Sequence, residues 1–132
     1  MTKALFYIQL GAREQIGFGH PFGPLPAWQV YDLDNHADTT TLKYASRLLG
    51  EAEEVVLVFK QHGPYQSLGG ITGFLESVMR SKKGNPTAYS LGPVMLPVLV
   101  NKRFGVQEKD IERIKALLDK PLEPPQNTPS AP

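Results

Sequence analysis

Strand-like apolar runs alternating with helical stripes predict an α/β domain. The expected architecture is a mostly parallel sheet of about four to six strands flanked by three or so helices, flavodoxin-like or similarly layered. Two observations carry this. Residues 55–59 are five consecutive apolar side chains bounded by charge, the pattern of a strand buried on both faces. The stretch from Leu33 to Val55 is long enough for the helical crossover that a parallel pair requires. A chain of 132 residues suits one such core, and residues 1–120 are read as that domain.

The elements follow in order. Residues 3–10 are rich in β-branched and aromatic side chains and read as the first strand. Residues 11–26 hold four glycines and three prolines. This is long for a connection without structure, so a short strand over 14–18, hairpinned to the first, is expected inside it. His20 in this segment, beside Phe18, Phe22 and Trp28, suits either a lid over a crevice or a loop pinned by its own aromatics. Residues 28–33 read as the next strand, ending in Asp32 and Asp34.

A helix then starts at Asp38 or a neighbouring threonine, with Leu42, Ala45, Leu48, Leu49 and Ala52 at helical spacing. After the strand at 55–59, Leu68, Ile71, Phe74, Leu75, Val78 and Met79 form a second helical stripe. Arg80, Lys82 and Lys83 suit its last turn, and Gly84 its end. Residues 87–91 are a short strand. Residues 94–100 are apolar throughout but interrupted by Pro97. The sequence favours an edge or bulged strand there over a disturbed helix. Ile111, Ile114, Leu117 and Leu118 mark the last helix. Residues 121–132 contain five prolines and read as a flexible or polyproline-like tail.

Composition excludes several function classes. The chain has no cysteine, which removes disulfides, thiolate metal sites, iron–sulfur clusters and a cysteine nucleophile. The net charge of +1 argues against a dedicated nucleic-acid binder. No apolar run approaches a membrane span and no signal-peptide pattern opens the chain, so a cytoplasmic protein without membrane contact is expected. The cofactor is left unassigned, and no metal site is expected from three histidines spaced 16 and 26 residues apart.

In open α/β sheets, ligands bind outside the carboxyl ends of the strands. This rule selects the loop carrying Asp32, Asp34 and His36, and the loop carrying Lys60, His62, Tyr65, Ser67, Gly69 and Gly70. If their strands are neighbours, the two loops converge. His62 is the acid/base candidate, with Asp32 or Asp34 as its partner and the two carboxylates on opposite sides of their strand. Lys60 is the candidate to hold an anion. Gly69 and Gly70 open the second helix, where backbone N–H groups favour anions, although neither dinucleotide nor P-loop spacing is present. Asp34 before Asn35 also fits an Asx turn.

Two functions follow as expectations. One is a non-enzymatic regulatory module acting through protein contacts, as a homo-oligomer pairing through the edge strand at 94–100. The other is a protein or enzyme binding an anionic, nucleotide-like small molecule at the strand ends.

Overall fold

A computed structural model of the chain describes residues 2–81 and 87–118. The tail expected at 121–132, and Lys82, Lys83 and Gly84, lie outside them. The described chain forms one five-stranded sheet: β1 (Lys3–Leu10), β2 (Gln29–Asp34), β3 (Glu54–Gln61), β4 (Thr87–Ser90) and β5 (Gln107–Glu108). Every pairing is parallel and the order is β2-β1-β3-β4-β5, so the α/β class holds. Four helices accompany it: α1 (Thr39–Glu51), α2 (Ile71–Arg80), α3 (Val98–Phe104) and α4 (Ile111–Leu118). Among the described residues no helix is long and apolar enough to cross a membrane.

β1 is an interior strand, paired on both sides by β2 and β3, and is buried from Ala4 to Leu10. Side chains of successive strand residues point to opposite faces, so β1 feeds two cores. Ala4, Phe6, Ile8 and Leu10 join Leu57 and Phe59 under the apolar stripes of α1, α2 and α3. Leu5 and Tyr7 join Val56 and Val58 on the other face, under Ile114 and Leu118 of α4. The rest of that second face is covered without a helix. Phe22, Leu25 and Trp28 from the β1–β2 connection pack on it. Phe22 meets Tyr7 edge-on with ring centroids 6.1 Å apart. The Gly/Pro-rich segment is therefore pinned by its own aromatics.

Two local expectations are corrected. Residues 14–18 form no hairpin strand. Arg13–Gln15 is a single 3-10 turn, closed when the Ala12 N–H donates to Gln15 Oε1 at 2.8 Å. Residues 94–100 are not an edge strand, because α3 begins at Val98. Pro97 stands at the helix start, where a residue without an N–H loses nothing, and its carbonyl accepts from the Asn101 N–H at 3.0 Å. Val100 and Phe104, four apart, then seat on the core. Gly105 ends the helix in the left-handed conformation at φ +59°, which glycine adopts freely. Elsewhere the expected cap holds: the Thr41 N–H donates to Asp38 Oδ1 at 2.8 Å.

Trp28 joins the helix-free cover to α4, its indole N–H donating to the Leu118 carbonyl at 3.2 Å. Trp28→Phe removes this donor and leaves a small void in a buried site. Urea unfolding should show a loss of about 1–3 kcal/mol.

Candidate functional site

The carboxyl ends of β1, β2 and β3 lie side by side, with β1 between the other two. The loops after β2 and β3 do converge, but across the end of β1 and not as neighbours. Asn35 holds them together. This buried side chain accepts from the Gly11 N–H through Oδ1 at 3.2 Å and donates from Nδ2 to the Ser67 carbonyl at 3.2 Å. Its own N–H donates to the Gln9 carbonyl at 3.2 Å. One partner is a donor and the other an acceptor, so the amide orientation is fixed. Asn35 thereby ties together the three loops that follow β1, β2 and β3.

A cleft of about 640 Å³ opens between these loops. Arg13 and Ala12 line it from the first loop, His36 from the second, and Tyr65, Gln66 and Ser67 from the third. His36 is oriented at two points. Its backbone N–H donates to Asp34 Oδ1 at 2.7 Å, and its ring Nε2 lies 2.8 Å from the Gly11 carbonyl. A carbonyl only accepts, so Nε2 carries the hydrogen and Nδ1 is the ring's acceptor. The Asx turn expected of Asp34 is this contact. Among the described residues of the lining, Arg13 is the only side chain that bears a full permanent charge, and none is a carboxylate.

The remaining candidates sit elsewhere. Lys60 follows Val56 and Val58 in strand alternation, on the loop-covered face. His62 is exposed beyond that strand end, and its Nε2 lies 2.7 Å from Gln9 Oε1. Gln9 Nε2 donates to the Gly17 carbonyl at 2.9 Å, and its Oε1 accepts from the Gly17 N–H at 3.0 Å. That pair fixes the amide, so His62 must be the donor through Nε2. Neither aspartate is its hydrogen-bond partner. Positions 32 and 34, two apart on an extended strand, share one side, which corrects the expected split.

Asp32 accepts from the Gly19 N–H and feels the charge of His20, yet desolvation dominates and raises its carboxyl pKa. Tyr7, across from Asp32 in register, is raised by burial and then by that carboxylate. Gly69 and Gly70 serve packing. Gly69 has φ +57°, and a Cβ there would stand 2.5 Å from the Asn35 carbonyl oxygen. A Cβ on Gly70 would meet Leu42 Cδ1 at 2.4 Å. Among the described residues no group of three or more histidines and carboxylates is placed to hold a metal ion.

Sequence reasoning missed Arg13, Gly11 and the clamp role of Asn35. The strand-end rule, extended to the loop after β1, selects residues 11–13.

Two expected outcomes follow. Asn35→Asp keeps the size and the acceptor for Gly11 but turns a carboxylate toward the Ser67 carbonyl. Its folded-state pKa rises above the unfolded value, so the folded form binds the extra proton. The defect should therefore be largest near neutral pH and shrink as pH falls, as urea unfolding at several pH values will show. Asn35→Ala should cost about 2–4 kcal/mol at any pH, because both partners lose their bond. Separately, desolvation and then the Lys60 charge push the His62 pKa below its ordinary 6.5. An NMR titration should place its midpoint below that value, and Lys60→Gln should move it upward. Because the folded pKa is depressed, any stabilisation linked to neutral His62 is complete above the ordinary value and lost as pH falls through the depressed one.

Comparison with protein-family models, with curated proteins and with solved structures finds no match to this chain.

Proposed function

We propose that this chain binds a small anionic molecule in the cleft at the ends of β1, β2 and β3. The observation that carries the reading is the lining: Arg13 and His36 line a cleft in which no described residue is a carboxylate. A volume of about 640 Å³ suits a metabolite-sized ligand. The location is the crevice at the end of β1, where β2 lies on one side of that strand and β3 on the other. In doubly wound sheets this reversal is where ligands sit.

Each residue has a distinct part. The Arg13 guanidinium supplies the counter-charge and a planar fork of donors that matches a carboxylate or phosphate. The Ser67 hydroxyl and the Gln66 amide offer further hydrogen bonds. His36 Nδ1, facing away from the bond at Nε2, can accept from a ligand hydroxyl or amine. The Tyr65 ring gives an apolar wall. Asn35 belongs to the scaffold, because both ends of its amide are already used. The edge-strand pairing expected of a protein-contact module is not formed, since Val98 to Val100 lie in α3, and such a role would use another surface.

Native mass spectrometry of freshly purified protein, with thermal shifts against inorganic phosphate, nucleotides and dicarboxylates, tests this. An anion should travel with the protein or raise its melting temperature. Arg13→Ala should weaken that binding about tenfold to a hundredfold while leaving the fold intact. Equal binding by the variant, or preference for cationic ligands, would overturn the reading.

A further inference from the structure

The 64–67 loop has a second concave side. A groove of about 600 Å³ lies between it and Met95–Pro97, away from Arg13 and His36. Its walls are tied together by bonds between two side chains and the Met95 backbone. The Met95 N–H donates to Gln61 Oε1 at 2.7 Å, and the Tyr65 hydroxyl donates to the Met95 carbonyl. These bonds use polar groups of the groove internally, leaving apolar side-chain surface for contact. Beside it, Met95, Val98 and Leu99 are 75%, 82% and 71% exposed. Three large apolar side chains left open within five residues, next to a formed groove, mark an interaction surface.

Charge selects the occupant. One turn along α3 from Val98 and Leu99 stand Lys102 and Arg103, both exposed. Arg103 reaches the Met79 carbonyl at 3.2 Å, which brings the end of α2 with Arg80 alongside. Among the described residues the groove lining contains no carboxylate. The surface is therefore apolar at one end and cationic at the other. A second copy docked face to face across a two-fold axis would set these cations against themselves. A flat lipid surface would not enter the groove.

We propose that this groove, extended by the outward face of α3, docks an acidic amphipathic segment of a partner protein. Apolar side chains of that segment enter beside Met95 and Leu99, and its carboxylates meet Lys102 and Arg103. This is the groove-binding mode in which a few apolar anchors give affinity and rim charges give selectivity. The proposal does not depend on the anion reading of the neighbouring cleft.

The test is selection of a random displayed peptide library on the full chain, counter-selected on Leu99→Glu. Both this and Lys102→Glu alter exposed positions and should leave thermal unfolding unchanged. Enriched peptides should pair apolar with acidic residues. Their binding should weaken about tenfold or more in either variant and fall with added salt. Three results would overturn the proposal. One is no enrichment over Leu99→Glu, or enriched peptides without carboxylates. Another is co-sedimentation with phosphatidylserine-containing vesicles, lost in Lys102→Glu, without peptide enrichment. The last is a dimer in analytical ultracentrifugation that Leu99→Glu dissociates, which would assign the surface to a second copy.

Discussion

The amide of Asn35 is the contact on which the working end of this molecule depends. A parallel sheet leaves the loops after its strands unpaired, and each carries backbone groups that need partners. Asn35 satisfies one group from the loop after β1 and one from the loop after β3, from its own place after β2. The left-handed Gly69 then lets the start of α2 approach the Asn35 carbonyl more closely than a side chain would allow. Gln15 adds a second tie, with its amide in the space that the missing Cβ atoms of Gly11 and Gly63 leave open. The cleft is thus held by hydrogen bonds between loops that involve no ligand.

The 64–67 loop divides the carboxyl end of the sheet into two regions of unlike chemistry. On one side Arg13 and His36 give a cleft rich in donors. On the other, Met95, Leu96 and Leu68 give an apolar groove. The same loop serves both because its polar groups are divided between them. The Ser67 carbonyl turns to Asn35, while the Tyr65 hydroxyl turns to Met95. The two surfaces share a wall without competing for the same backbone groups.

Much of the fold is legible from local pattern. The apolar run at 55–59 and the stripes of α1, α2 and α4 report periodicity, which burial enforces directly. Residues 94–100 misled because an apolar run has the same composition as a buried strand or as a short helix with one face on the core. Only tertiary packing of Val100 and Phe104 separates the two. The site was less legible for a different reason. Asn35 reads locally as a turn residue, and its part as a clamp exists only once Gly11 and Ser67, 24 and 32 residues away in sequence, are brought to it. Lys60 and His62 stand out by residue type alone, but strand alternation places Lys60 on the face opposite α1, α2 and α3, and His62 lies beyond the strand end. The Arg13 position had no local signal beyond following the first strand.

The interior place of β1 bears on how the chain is made. β1 precedes both of its partners in the chain, and Ala4 pairs with Gln29 and Val55, 25 and 51 residues further on. A strand buried on both faces cannot be completed until the second of these exists, so nearly half of the described chain must be synthesised while β1 still has an open side. Its ladder closes late and at long range, the regime in which parallel sheets fold slowly. The apolar cover of Phe22, Leu25 and Trp28 comes well before β3 in the chain, and in the folded molecule it packs on the face of Leu5 and Tyr7.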